Sequence, residues 1–306
     1  RAWARLEAWM REHAPACAET LCEPVEPEAW TIFVQHVREE LRIHEHSIGD
    51  LQNQLEPLRM IYEVHGGQDA TSIQENFACG IFGGFSAYNT MNCCALLPLH
   101  VLHQLYSALQ LDHPGTIVPF AMSMSQRLFR VLDLETGNVV TRDGPRLRCL
   151  HPNTENHDGL LLWFEEYTRR LENGIYVAGA ILPDMPEMTS GVVLFPCKPT
   201  LTSPSDGALQ DVSRAVTRGI EVVASSLYLG ASGWSYSIRI QLLPPSHPDG
   251  LTEEERGFAT CQLHRRHWEV RSPNGQVDHV NGAGVIGKYP IFFEGGFQDC
   301  EQVDVC

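Results

Sequence analysis

The sequence predicts an α+β protein with two domains, an N-terminal α/β domain followed by an all-β domain. In the first part of the chain, apolar residues recur at three- and four-residue steps, as they do on the buried faces of helices. Beyond residue 213, short alternating runs separated by turn residues are typical of antiparallel strands. Residues 201–212 contain serine, proline and glycine and are interpreted as a linker between domains at 1–200 and 213–306.

Five amphipathic helices are predicted in the N-terminal domain. Proline at position 27 suits the first turn of the second helix, and Asp158 is expected to cap the fifth helix. The apolar stripes, all expected to face a core, are Trp3-Leu6-Met10, Trp30-Phe33-Val37-Leu41, Leu51-Leu55-Leu58-Ile61, Leu99-Leu102-Tyr106-Leu109 and Leu161-Phe164-Thr168-Leu171.

Strands and turns are predicted between these helices. Dense glycine and aromatic residues between positions 80 and 99 suit a strand with close backbone packing. The runs from Phe129 to Arg142 flank Glu135-Thr136-Gly137-Asn138 and predict a hairpin. Gly66-Gly67 predicts a turn in which the neighbouring His65 contacts a backbone group.

The charge of the chain restricts its partners. Twenty-two basic and 38 acidic residues give a net charge of −16, which repels both a nucleic-acid backbone and an anionic membrane surface. No apolar run reaches the length needed to span a bilayer, and no signal peptide is present. We therefore expect no nucleic-acid or membrane partner, and a cytoplasmic or nuclear location.

Metal and redox chemistry find little support in the sequence. The ten cysteines include no Cys-x-x-Cys pair, and the neighbouring Cys93 and Cys94 are interpreted as buried thiols rather than a redox pair. His100 and His103 lie three residues apart, but no acidic or thiol ligand accompanies them, so a solvated helix flank is favoured over a metal site. Neither a metal nor another cofactor is expected.

Gly282, Gly284 and Gly287 form a Gly-x-Gly-x-x-Gly string, the pattern that cradles a pyrophosphate in dinucleotide-binding folds. That chemistry requires a helix to begin at the string, and Pro290 excludes such a helix. A sharp loop between strands is therefore favoured, with a small anionic ligand kept as the alternative. Upstream, Trp268 and Val270 alternate with polar residues before a Pro-Asn-Gly turn, which predicts a β-hairpin.

Several of these segments resemble the ApaG domain, an immunoglobulin-like or fibronectin-like sandwich. The similar segments are Gly219-Ile220-Glu221-Val222, Tyr236 to Ile240, Arg266-His267-Trp268, Asn281-Gly282 and Gly284 to Pro290. The resemblance implies a β-sandwich binding module with no established catalytic residue. The last ten residues do not align with that family, so the domain is expected to be C-terminally incomplete.

The N-terminal part is similar to the SUKH-like domain of F-box proteins that end in ApaG. The similar segments are Tyr62 to Gln68, Gly83 to Tyr88, Leu96-Leu97-Pro98-Leu99 and Asp158 to Glu166. The order resembles plant-type Skp-interacting F-box proteins, which implies the substrate-recognition part of a Skp–cullin–F-box ubiquitin ligase. Its Skp adaptor and cullin would be bound through an F-box absent from these residues, so the chain is interpreted as a fragment.

An enzyme is the less favoured interpretation. The sequence contains no Gly-x-Ser-x-Gly elbow for a nucleophilic serine, and no phosphate-binding Walker string. His267 is expected on the exposed face of a strand, opposite to Trp268, where a histidine has no reacting partner. The two remaining hypotheses are a non-catalytic protein-binding subunit and a free-standing module for a small anion such as a nucleotide or pyrophosphate.

Overall fold

A computed structural model describes most of the chain. The described residues are 1–45, 49–75, 79–87, 90–112, 116–123, 128–143, 146–151, 159–182, 190–198, 212–228, 234–271, 274–286, 290–293 and 296–299. The chain divides into two compact units, Arg1–Asp211 with Ser226–Tyr236, and Val212–Ser225 with Ser237–Cys306. The predicted linker falls outside the described residues except for its last residue, so its role stays a prediction.

The main part of the first unit, Arg1–Asp211, contains seven helices and eight strands among its described residues. The helices are α1 (Ala2–His13), α2 (Pro15–Ala18), α3 (Pro27–Ile43), α4 (Leu51–Tyr62), α5 (Ala70–Glu75), α6 (Leu99–Asp112) and α7 (Gly159–Glu172). The strands are β1 (Gly84–Ala87), β2 (Thr90–Leu96), β3 (Ile117–Ser123), β4 (Leu128–Asp133), β5 (Val139–Asp143), β6 (Arg146–His151), β7 (Val177–Ala180) and β8 (Ser190–Val193).

These strands form one sheet in the order β6-β5-β4-β3-β2-β1-β8-β7. All neighbours are antiparallel except β1 and β8, which run parallel with Gly84 opposite Val193. The predicted hairpin is confirmed, since Phe129 pairs with Arg142 and Gly137 in the turn has φ 70°. The strand predicted between residues 80 and 99 is a pair of strands, β1 and β2.

Most residues of the predicted helical stripes pack into one core with the sheet. Leu6, Val37, Leu55, Leu102 and Leu160 are all fully buried there. In α7 the prediction for Leu161 is wrong, since Leu161 is partly exposed and the neighbouring Leu160 is buried instead. Trp30 differs from its prediction, because it remains partly exposed where α3 faces α4. Asp158, the predicted cap of α7, lies outside the described residues.

Polar contacts tie α1 to α7. Arg5 on α1 forms ion pairs with Glu165 and Glu172 on α7, so Glu165 is engaged outside its own helix. Arg169 and Arg170 both bind Glu166, at 2.7 Å each. The charged side chains of α7 are thus held in structural ion pairs.

Gln68 is the buried polar hub of this unit. Its side-chain oxygen accepts hydrogen bonds from the backbone N–H groups of Ile81 at 2.8 Å and Leu96 at 3.1 Å. Its side-chain nitrogen donates to Thr20 Oγ1 at 2.7 Å. Its own backbone N–H donates to the carbonyl of Leu96 at 2.9 Å. One side chain therefore joins the end of β2 to two separate loops.

The turn before Gln68 requires glycine. Gly67 has φ 125°, and a Cβ at this position would lie 2.5 Å from Pro98 Cα, a distance that no side chain tolerates. The predicted contact of His65 is confirmed, since its Nδ1 lies 3.2 Å from the carbonyl oxygen of Cys22. The aromatic ring of Tyr62 is buried, and its hydroxyl donates to the carbonyl of Leu97 at 2.6 Å.

Buried thiols occupy the centre of the sheet. Cys79, Cys93 and Cys94 are at most 2% exposed, which confirms the interpretation of Cys93 and Cys94 as buried thiols. Gly80 N–H donates to Cys93 Sγ at 2.8 Å. Burial raises the pKa of the Cys93 thiol, so it stays protonated. A Cβ at Gly191 would lie only 2.5 Å from Cys79 Cβ, so the packing here is tight.

A polar cluster joins α3 to α6. The rings of His36 and His103 stack with centroids 3.8 Å apart, and Ser107 Oγ lies 2.8 Å from His36 Nε2 and donates to Glu40 Oε1 at 2.7 Å. His103 is thus half-buried, contrary to the solvated flank that the sequence predicted. Desolvation and the neighbouring His36 lower the pKa of His103.

The remaining elements are strands and one short helix. They are β9 (Val212–Thr217), β10 (Ile220–Tyr228), β11 (Trp234–Leu242), α8 (Glu253–Arg256), β12 (Leu263–Arg271), β13 (Val277–Ile286), β14 (Pro290–Phe293) and β15 (Gly296–Asp299). They form three sheets, β11-β10-β9, β12-β13 and β14-β15, in which the pairs β9–β10, β12–β13 and β14–β15 are antiparallel. The α+β class, with a β-rich C-terminal part, is confirmed.

Replacing Gln68 by leucine should destabilise the first unit. Leucine leaves the amides of Ile81 and Leu96 buried without an acceptor, at a cost of about 1–3 kcal/mol each. Urea unfolding followed by the helical circular dichroism signal, which comes mostly from α1–α7, measures the loss. The matched control, Gln104→Leu on the exposed side of α6, should change stability by less than about 0.5 kcal/mol. Equal midpoints for the two variants would contradict the role given to Gln68.

Acid should weaken the packing of α3 on α6. Because the folded pKa of His103 lies below its ordinary value of 6.5, the unfolded chain binds its proton first as the pH falls. This contribution to stability is complete above pH 6.5 and is lost progressively as the pH falls through that value towards the folded pKa. Urea midpoints at several pH values should show a shallower dependence in His103→Gln. The control is His100→Gln, which changes an exposed histidine of the same helix; an identical pH dependence in both variants would contradict the prediction.

Candidate functional site

The glycine string lies within a strand. Gly282 and Gly284 belong to β13, which continues to Ile286, and the next described residues form strand β14. Gly287 lies outside the described residues. The strand–turn–helix geometry that presents amides to a pyrophosphate is therefore not formed by Gly282 and Gly284.

The predicted sharp loop at this string is wrong for the two described glycines. Gly282 is paired with Arg266 on β12 in a regular antiparallel ladder. A Cβ added to Gly282 would lie 3.5 Å from Arg266 Nε, so the arginine side chain extends across the space that the glycine leaves open. Gly282 thus makes room for a cross-strand neighbour, and it places an exposed guanidinium beside the string.

The hairpin that carries this string consists of β12 and β13. Trp268 faces Val280, and Gly275 in the turn has φ 85°. Asn274 Oδ1 accepts from Gln276 N–H at 3.0 Å and closes the turn. The predicted β-hairpin is confirmed.

One face of the hairpin carries a row of polar side chains. His267 Nδ1 lies 2.6 Å from Asn281 Oδ1, so this nitrogen carries the proton and donates to the amide oxygen. His267 Nε2 then accepts from His279 Nδ1 at 3.2 Å. Glu269 and Arg271 form an ion pair farther along the same strand. All these side chains are exposed, as predicted for His267, and both histidines are engaged in structural hydrogen bonds.

The cluster of Ser107, His36 and Glu40 contains the residue types of a hydrolytic triad in a different order. In a triad the carboxylate orients the imidazole, and the imidazole takes the proton of the serine. Here Glu40 accepts directly from Ser107, while its oxygen is 3.9 Å from His36 Nε2. The serine proton is therefore committed to the carboxylate, and the imidazole is not oriented as a base.

The sequence did not reveal a groove between α3 and α4. A cavity of about 220 Å³ and a neighbouring one of about 370 Å³ share Trp30, Thr31 and Arg59 as walls. The further lining residues of the first are Val25, Pro27, Tyr62 and Glu63, and those of the second are Val34, Gln35, Arg38, Gln52 and Glu56. One feature of the sequence could have pointed to this groove. On a helix, an arginine often pairs with an acidic residue four positions away, but Arg38 has Val34 and Arg42 at those positions.

The described residues contain neither a candidate metal site nor a helix suited to a membrane. No three or more His, Cys, Asp or Glu side chains in that part of the chain converge in a way that could hold a metal ion. Over the same residues, no helix combines the length and apolar character needed to cross a membrane.

Comparison with known proteins gives matches of two kinds. Residues 225–298 match the ApaG domain family. Nearly the whole chain, 96%, is similar to "F-box protein SKIP16" of Arabidopsis thaliana, with 28% identity over 322 aligned residues. "Protein ApaG" of Xanthobacter autotrophicus is 33% identical over 91 residues, and that of Rhodospirillum centenum is 33% identical over 88 residues.

The coverage differs between these relatives. The match to the plant protein spans 66% of its length, and the bacterial proteins are matched over 60% and 58% of theirs. The bacterial matches involve only 27% and 26% of this chain. The chain thus contains an ApaG domain at residues 225–298 and, along nearly its whole length, is similar to an F-box protein.

Proposed function

We propose that this chain is the substrate-recognition part of an F-box protein in a Skp–cullin–F-box ubiquitin ligase. The observation that carries the proposal is the continuous similarity to one F-box protein over 96% of the chain, which includes both compact units. In this role the chain binds a substrate protein, and an F-box outside residues 1–306 contacts the Skp adaptor and, through it, the cullin.

The domain assignment belongs to the same proposal. Residues 1–200 would form the SUKH-like domain and residues 213–306 an ApaG sandwich of the immunoglobulin or fibronectin type. The mixed sheet with helices in the first unit and the antiparallel hairpins in the second are compatible with this division. Each domain would offer a separate surface to a substrate.

The chain would act by binding rather than by catalysis. Ser107 is held by the carboxylate of Glu40 instead of by an oriented base. The two histidines of the hairpin are committed to Asn281 and to each other. The net charge of −16 further favours protein partners over nucleic acid.

A transplanted F-box tests the ligase role. We expect that this chain, fused to an F-box of known Skp affinity, shortens the half-life of the proteins it binds, because recruitment places them beside the ubiquitin-transfer machinery. Half-lives after translation arrest are measured with and without inhibition of cullin activation.

The matched control is the same fusion with an F-box that cannot bind the adaptor. If every bound protein has the same half-life with the active and the inactive F-box, the chain does not recognise degradation substrates and the proposal fails.

A small anionic ligand at Gly282, Gly284 and Gly287 is the alternative, and one observation favours it: exposed Arg266 beside Gly282. The protein-binding function predicts no rise in melting temperature with pyrophosphate, ATP or NAD up to about millimolar concentration. Gly282→Ala should be nearly neutral for stability, since its Cβ makes only ordinary contacts and its backbone is already extended. A saturable rise that is lost in Arg266→Ala would establish the ligand site instead.

A further inference from the structure

The groove between α3 and α4, defined by the two cavities above, has two chemically different ends. Trp30, Thr31 and Arg59 form its shared middle. Val25, Pro27 and Tyr62 line one end, where apolar atoms dominate. Gln35, Arg38 and Gln52 line the other end, where amide and guanidinium groups are available.

The apolar end has fixed walls. The Trp30 ring packs on Phe33 with centroids 5.3 Å apart and lies 6.0 Å from the ring of Tyr62. Tyr62 is anchored by its bond to the Leu97 carbonyl, and Pro27 at the start of α3 has a restricted backbone. These side chains are already ordered, so binding costs little of their conformational entropy. The free energy gained by burying an apolar side chain of a partner among them is therefore largely retained.

The charges of the groove are unequal. Arg59 is neutralised by Glu56 at 2.6 Å and by Glu63. Arg38 is exposed, and the described part of the chain provides it with neither an ion-pair partner nor a hydrogen-bond acceptor. An uncompensated cation in a protein with a net charge of −16 favours a carboxylate of a partner.

The middle and the polar end can also bind a peptide backbone. Thr31 Oγ1 donates to the carbonyl of Pro27 at 2.9 Å, which leaves its lone pairs as acceptors for a partner amide. Gln35 and Gln52 are exposed on facing helices and carry both donors and acceptors. An extended segment in the groove would therefore satisfy its main-chain groups as well as its side chains.

We propose that the α3–α4 groove binds an extended segment of a partner protein. The segment inserts an apolar side chain between Trp30 and Pro27 and, a few residues away, pairs a carboxylate with Arg38. The proposal rests on the protein-binding function above and names the surface and the peptide chemistry that it uses.

Selection from a displayed library of random peptides tests this proposal. Peptides are selected for binding to the full chain. Those that also bind the Thr31→Tyr variant, in which a large ring fills the shared middle of the groove, are removed. Enriched peptides should combine an apolar residue with an aspartate or glutamate nearby. No enrichment, or enrichment without acidic residues, would overturn the proposal.

Charge reversal then locates the contact. Binding of the best labelled peptide, measured by fluorescence anisotropy, should weaken at least about tenfold in Arg38→Glu, in keeping with the loss of one desolvated charge pair. Arg42→Glu makes the same charge change one turn along α3, outside the groove lining, and should leave the affinity within about twofold. Ile32→Tyr is the corresponding control for Thr31→Tyr. Equal effects of the Arg38 and Arg42 variants would overturn the assignment.

Further results distinguish a failure of the groove proposal from a failure of the proposed ligase role. If sedimentation shows a dimer of the chain that Thr31→Tyr dissociates, the occupant is a second copy and the partner-segment proposal is wrong. Peptide selection needs no ubiquitin machinery, so its failure beside successful degradation by the F-box fusion overturns only the groove. Successful selection beside failed degradation overturns only the ligase role.

Discussion

The side chain of Gln68 sets the geometry of the first unit. It accepts from the amides of Ile81 and Leu96 and donates to Thr20, while its backbone N–H bonds to Leu96. A buried amide side chain with this many partners fixes positions that apolar packing alone would leave free to slide, because any displacement leaves polar groups without partners. The glycine before it supplies the only kind of backbone that can pass so close to Pro98. The loops at Thr20 and Ile81 and the end of β2 are therefore held together by a polar interaction.

Much of the fold follows from sequence periodicity. The stripes of α1 and α4 are buried as their three- and four-residue spacing predicts, and the hairpins at Gly137 and Gly275 follow from turn chemistry. The hub at Gln68 was beyond such reasoning, since its partners lie 48, 13 and 28 residues away in the chain. Local sequence patterns do not predict contacts between residues that are so far apart in the chain. The SUKH-like assignment stays a prediction.

The candidate sites were less predictable for a physical reason. Glycines at 282 and 284 suggest a loop when read along the chain, but Gly282 gives space to Arg266 on the next strand, a requirement that exists only after pairing. Trp30 satisfies the helical spacing of a core residue, yet α4 covers only part of its ring. Half-covered residues of this kind form binding surfaces, and the spacing pattern does not distinguish them from buried ones.

The buried thiols near the sheet can report how often this part of the fold opens. Cys79, Cys93 and Cys94 are closed to solvent, whereas Cys261 is exposed. An alkylating reagent can reach the first three only when the strands around them separate, so their rate of modification measures how often that happens, with Cys261 as the internal reference for intrinsic reactivity. A partner seated on the α3–α4 groove would leave this rate unchanged if it only covers the surface. It would slow the rate if occupancy of the groove also holds the sheet closed.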